Sequence, residues 1–323
     1  MRSLLFAMTI VFGFSVSAEE LYPSGLISVG NESKVVFIVD KTRRFLRVYE
    51  FANGRPKLTA EYPSDIGKKN GDKERANDYR TPTGIYFLQK KLTQPEIPFS
   101  LYGSMAFTTD YPNVFDKRDA KGGSGIWLHA VPDTVPLTRG SRGCVVVRDE
   151  VVKKLDSIIR LKETPLVIYD QLDEVNDQEF EKERSKYLAF FEEWRKAWEQ
   201  EDVDTYMKFY DETFKNAEMN YKQWYNHKKK LKGLYKYIKV TLSEPLIVRN
   251  RNQVVIRTMQ SYESDLHRDY GLKTIHARWS PNSGFKIIRE DWEPKENFEL
   301  PKQATEVEKR TTSSLIESAP APQ

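Results

Sequence analysis

Cys144 is the only cysteine of the chain, and it opens the apolar run Cys144-Val145-Val146-Val147 directly after Ser141-Arg142-Gly143. His129 stands near the end of an earlier run, Ile126-Trp127-Leu128-His129-Ala130. A thiol attacks carbonyls well only as a thiolate and is mostly protonated at neutral pH, so it needs a base within reach. Imidazole is the side chain suited to that task near pH 7. Brought together, the two would carry out acyl transfer: sulfur attacks a carbonyl, a thioester forms, and the proton passes through the imidazole to the leaving amine. Such a nucleophile is expected to show a depressed pKa and fast alkylation. Taken singly, Cys144 is a small buried hydrophobe and His129 a core histidine; their coupling is what favours chemistry.

Both runs are rich in branched or aromatic residues, which predicts strands. The segment between them carries Pro132, Asp133, Pro136 and Gly140, which predicts a loop. Further strand patterns fall at 34–40, 44–51, 57–62 (after the Asn53-Gly54 turn), 83–90, 105–108 and 165–169. Val151, Val152, Leu155, Ile158 and Ile159 recur at helical spacing. Gly67 to Arg80 is polar throughout and is expected to be a solvated loop beside the site.

At these residues the sequence resembles the YkuD-type L,D-transpeptidase catalytic domain, with its His, a loop, then Ser/Thr-His-Gly-Cys. His129, Ser141, Gly143 and Cys144 match that signature, Thr81-Pro82-Thr83-Gly84 resembles the strand entry of the family, and 34–49 its opening hairpin. Arg142 stands where many members carry a second His, and Val146 where many carry Asn. The resemblance implies Cys144 as nucleophile and His129 as base, oriented by the backbone carbonyl of Ala130. Gly143 and Cys144 are candidate oxyanion donors through their N–H groups. Ser141 orients the turn, and Arg142 is a candidate for a substrate carboxylate, with Arg139 and Lys117 as weaker ones. No metal site and no cofactor are expected, because His227, His267 and His276 fall at no ligand spacing.

The fold class expected is a mostly β catalytic domain followed by an α+β domain. Residues 1–18 form a short basic start, an apolar core and a small-residue cleavage site, which predicts an export signal and no membrane span once it is removed. Residues 19–33 read as an irregular lead-in, 34–170 as the catalytic domain and 171–183 as an acidic linker running into a helix. Residues 184–294 hold helical patterns (Phe190, Phe191, Trp194, Ala197, Trp198; then 202–210 and 220–232) followed by five strands. Helices before a meander of long strands resemble the NTF2-like fold. Residues 295–323 are polar and Thr/Ser/Ala/Pro-rich, which predicts a disordered tail.

With 39% hydrophobic and 30% charged residues and a net charge of +4, nothing global calls for nucleic acid. A lysine-rich, tyrosine-rich stretch over 219–243 is expected to be a solvated basic helix with core aromatics, or a surface for glycans or polyanions. The two-domain layout resembles the cell-shape L,D-carboxypeptidases of helical Gram-negative bacteria. That resemblance implies a periplasmic enzyme trimming D-alanine from tetrapeptide stems of peptidoglycan. The alternatives are an L,D-transpeptidase, which shares the same thioester, and a non-catalytic wall-binding module.

Overall fold

The computed structural model describes residues 20–30 and 35–295. The signal read over 1–18 and the tail beyond Lys295 lie outside the described residues. The first part of the chain forms β1 (Tyr22–Pro23), β2 (Leu26–Val29), β3 (Val35–Asp40), β4 (Phe45–Ala52), β5 (Arg55–Pro63) and β6 (Gly84–Thr93). Helix α1 (Phe99–Tyr102), β7 (Met105–Thr109), α2 (Val114–Arg118), β8 (Trp127–Val131), β9 (Val145–Arg148), α3 (Asp149–Asp156) and β10 (Pro165–Tyr169) complete the catalytic half. Its sheet has the order β5-β4-β3-β10-β6-β7-β8-β9, with β8 parallel to β9 and β10 parallel to β3.

Strand β3 is apolar at nearly every position because both of its faces are covered. Val35, Phe37 and Val39 join Leu128, Ala130, Val145, Val147 and the apolar side of α3 in one core. Val36 and Ile38 point the other way, with Ile85, Val167, Phe115 and Leu172, onto Leu246, Val248, Val255 and Ile288 of the second domain. The two halves therefore share a core across the back of the catalytic sheet.

Two expectations need correction here. The lead-in is not irregular: β2 pairs with a strand of the second domain, Val29 opposite Leu246 and Ser28 opposite Ile247. Leu26 and Ile27 are fully buried there, and burial of that apolar run outweighs the turn signals of Pro23 and Gly25. Residues 171–183 run into a helix, as expected, but the stretch before it is paired and not free. The segment contains β11 (Glu174–Val175), which pairs with β1, and the first turns of α4 (Asp177–Glu199). Asn176 caps that helix, its side chain accepting from the Glu179 N–H at 3.0 Å.

The second domain continues with α5 (Val203–Lys208), α6 (Tyr221–Leu231), β12 (Ile238–Leu242), β13 (Leu246–Asn250), β14 (Gln253–Ser264), β15 (Arg268–Ser280) and β16 (Gly284–Pro294). Its sheet runs β16-β15-β14-β13-β2, with β12 also on β14. Tyr187, Phe191, Trp194 and Ala197 line one side of α4 and fill the concave side of the sheet with Tyr206, Ile247, Ile256, Ile275 and Ile287. The mostly β half followed by an α+β half is the class the sequence pattern predicts.

The β13–β14 turn docks on the catalytic half. Asn250, 2% exposed, donates to the carbonyls of Ile168 at 2.7 Å and Gly84 at 3.4 Å, and Tyr169 donates to the Arg249 carbonyl at 2.6 Å. Asn250→Ala removes both side-chain bonds from this buried junction and is expected to destabilise the protein by about 1–3 kcal/mol. A chemical denaturation midpoint unchanged from wild type would show that these bonds carry no net stability.

Candidate active site

The parallel register sets Leu128 opposite Val145 and His129 opposite Val146. Leu128, Ala130, Val145 and Val147 are in the core, so strand alternation turns Trp127, His129, Cys144 and Val146 to the opposite face. The nucleophile and base of the sequence reading thus share one face on neighbouring strands. His129 is buried, and its Nδ1 donates to the Ala130 carbonyl at 2.7 Å. A carbonyl can only accept, so the proton sits on Nδ1 and Nε2 keeps a lone pair able to take one. The Tyr102 ring meets the imidazole edge-on at 5.0 Å. Burial lowers the His129 pKa to about 4.

The thiol does not follow the expectation. Burial pushes Cys144 up to about 11, and the Trp127 backbone and the Lys73 ammonium pull it only partway back. Its Sγ donates to the Gly125 carbonyl at 3.5 Å rather than to His129. The resting pair is therefore a neutral thiol and a neutral imidazole, not a thiolate–imidazolium pair. Attack requires the thiol to turn from Gly125 toward Nε2 and lose its proton as the substrate carbonyl arrives.

The turn before Cys144 is closed by Ser141, whose hydroxyl donates to the Cys144 carbonyl at 2.8 Å and accepts from the Gly143 N–H at 3.1 Å. That engages the Gly143 N–H, which was expected to serve an oxyanion. The Cys144 N–H meets no acceptor among the described residues and is the free backbone donor. Gly143 has φ +133°, and a Cβ there would lie 2.7 Å from the Arg80 carbonyl. Gly143→Ala must displace the turn, and a loss of kcat of about 10²-fold is expected from misplacing the nucleophile. A steady-state assay giving wild-type kcat would show that the turn tolerates the shift.

Arg142 is exposed and makes no hydrogen bond or ion pair with the described residues. Arg139 bonds the Asn70 side chain. Lys117 lies in a cleft with Arg118, Thr213 and Arg289 between the two halves, apart from Cys144. Among the described residues no group of His, Cys, Asp and Glu is placed to hold a metal.

The loop over 67–80 lies at the surface beside the site, as expected, with residues 68–71 and 74–77 exposed, but it is tied down at several points. Asp65 and Val146 exchange backbone bonds at 2.7 and 2.8 Å, and the Lys68 N–H donates to the Ser141 carbonyl at 3.1 Å. Lys73 is 3% exposed and ion-paired to Asp78 at 2.7 Å. A lysine such as Lys73 can be buried when its charge is paired, and no apolar periodicity announces that. Tyr102 was missed for a similar reason: it sits on a one-turn helix in a Pro-rich stretch.

A cysteine and histidine on adjacent parallel strands, followed by an α+β unit, define a class of protein. Residues 34–168 match the L,D-transpeptidase catalytic domain family (YkuD), and residues 186–291 match the Cds6 C-terminal NTF2-like domain. The chain belongs to this cysteine-based L,D-transpeptidase family, which acts on peptidoglycan, and carries the NTF2-like domain behind the catalytic one. Among solved structures it is similar to Bd1075 of Bdellovibrio bacteriovorus, at 52% identity and a TM-score of 0.80 over 86% of this chain and 100% of that one. It is also similar to the helical cell shape determining protein Pgp2 of Campylobacter jejuni, at 28% identity and a TM-score of 0.66 over 83% of this chain and 95% of that one. Comparison with curated proteins gives no match.

Proposed function

We propose that the protein is a periplasmic L,D-carboxypeptidase that removes the terminal D-alanine from tetrapeptide stems of peptidoglycan and so contributes to cell shape. The observation that carries the reading is the Cys144–His129 pair on one sheet face, with Nε2 free and Nδ1 tied to Ala130. Nε2 takes the thiol proton as sulfur attacks the carbonyl that precedes D-alanine. The Cys144 N–H faces the oxyanion. Collapse expels D-alanine, whose amine receives the proton from the imidazolium. His129 then deprotonates a water that cleaves the thioester and restores the thiol. Arg142, exposed at the turn, is suited to the carboxylate of the departing residue. Hydrolysis is preferred over transfer because the two-domain layout resembles that of cell-shape L,D-carboxypeptidases, and the likeness to Pgp2, a helical cell shape determining protein, extends through both domains and supports the part in cell shape. The export signal over 1–18 supports the periplasmic location.

The test is incubation of the purified protein with disaccharide tetrapeptide, alone and with an amine acceptor, followed by mass spectrometry. Tripeptide and free D-alanine without crosslinked product are expected. Dimers or amine adducts would make it a transpeptidase. A second reading, as a wall-binding module, is favoured by one observation. The second domain holds a cavity of about 300 Å³ lined by Trp198, Tyr206, Lys228, Tyr262 and His267. Lys228 lies 4.6, 5.1 and 4.7 Å from the ring centres of Trp198, Tyr206 and Trp224, so part of the basic stretch faces inward and not to solvent. Binding to sacculi with no cleavage of any muropeptide would support that reading alone.

A further inference from the structure

We propose that the tip of the β13–β14 hairpin positions the nucleophile: Arg251, from the second domain, clamps the 64–83 segment against the Cys144 turn. The turnover arm of the test rests on the function proposed above; the thiol-reactivity arm does not.

Arg251 occupies the turn at φ +54°. Its guanidinium pairs with Asp170 and lies 3.6 Å from Asp72. Both carboxylates are fixed to the base of the segment. Asp170 pairs with Lys41 at 2.7 Å and accepts from the Thr83 hydroxyl at 3.1 Å. Buried Lys41 in turn donates to the Gly71 and Thr81 carbonyls at 2.8 and 3.0 Å. Asp72 accepts from the Thr83 N–H at 2.8 Å and from Lys121 at 2.9 Å, and Lys121 also pairs with Asp116 at 3.2 Å. The cluster thus balances Asp72, Asp116 and Asp170 with Lys41, Lys121 and Arg251. Removing Arg251 leaves three acids facing two cations, where residues 71–72 and 81–83 of the segment come together.

From that base the segment reaches the nucleophile on both sides. It bonds Ser141 through Lys68 and Val146 through Asp65, backs Gly143 with the Arg80 carbonyl, and presents Lys73 beside the glycines that lead to Gly125. An exposed ion pair contributes little to global stability. A small displacement of a reacting sulfur, by contrast, is amplified in the rate. The two effects separate: Arg251 should matter to reactivity far more than to folding.

The experiment compares wild type, Arg251→Ala, Arg251→Lys and Arg278→Ala. Arg278 is the control, since it pairs with Asp119 across the same domain boundary at 2.6 Å but touches nothing in 64–83. Iodoacetamide alkylation of Cys144 is followed against pH, kcat and KM are measured on disaccharide tetrapeptide, and melting temperatures are recorded. For Arg251→Ala, alkylation is expected to slow and kcat to fall by about tenfold, with KM within about twofold. Its melting temperature should stay within about 2 °C of wild type. Arg251→Lys should recover part of both rates, and Arg278→Ala should match wild type. Wild-type alkylation and kcat in Arg251→Ala would overturn the proposal. So would an equal loss in Arg278→Ala, which would assign the effect to general loosening of the domains. If wild type cleaves no tetrapeptide, the functional reading fails while the alkylation rates still decide this one.

Discussion

Cys144→Ala is expected to remove turnover, by at least about 10⁴-fold in kcat, while the protein melts within about 3 °C of wild type. The chain has no second thiol to take over. Ser141, the nearest hydroxyl in the turn, is already committed to the Cys144 carbonyl, and an unactivated hydroxyl is a far weaker nucleophile. The fold should survive because Cys144 lies outside the apolar core clusters, and its sulfur makes only weak polar contacts, to the Gly125 carbonyl at 3.5 Å and to the Trp127 backbone. The check is a muropeptide assay beside a thermal melt of the same preparation. Retained activity would dismiss the thioester mechanism. Lost activity with a collapsed melt would assign the residue to structure instead.

How much of this was legible before the structure depends on where each signal resides. The Cys–His pair and its strands were readable because a lone cysteine, a strand-end histidine and the loop residues between them are local features. The helical face of α4 was readable for the same reason, since Phe191, Trp194 and Ala197 recur with the helical period. What could not be read was pairing between distant segments. Leu26 to Val29 is too short to announce a strand, and only its contact with β13 makes it one. That the exposed 67–80 loop is also pinned could not be read, because its anchors come from far along the chain: Lys41 donates to the Gly71 and Thr81 carbonyls, and Lys121 pairs with Asp72. The direction in which the thiol's pKa moves is hidden for a related reason. Residue types indicate that a base is available, whereas the pKa is set by desolvation, a property of the folded surroundings. Likewise Gly143 could be seen as a glycine the turn needs, but not that Ser141 would occupy its N–H.

His129→Gln is expected to lower kcat/KM by about 10²–10⁴-fold at neutral pH and, more tellingly, to change the shape of the pH profile. In wild type His129 is a neutral imidazole whose conjugate acid forms only near pH 4. As pH falls through that value Nε2 becomes protonated and can no longer accept from the thiol, so activity should fail near pH 4 rather than near the ordinary histidine value of about 6.5. Above it, rates should be flat through neutrality, because the reacting form is neutral thiol plus neutral imidazole and neither changes until the thiol ionises near 11. Without the imidazole, only thiolate formed by solvent can react. With the thiol at about 11, that is on the order of one molecule in 10³–10⁴ at pH 7.5. The variant should therefore gain about tenfold per pH unit on the alkaline side, closing part of the gap to wild type. A variant profile parallel to wild type would mean that His129 holds the site in shape without moving the proton. A wild-type acid limb near 6.5 would mean that substrate or solvent reaches the imidazole more freely than its burial against Tyr102 and the Ala130 carbonyl allows.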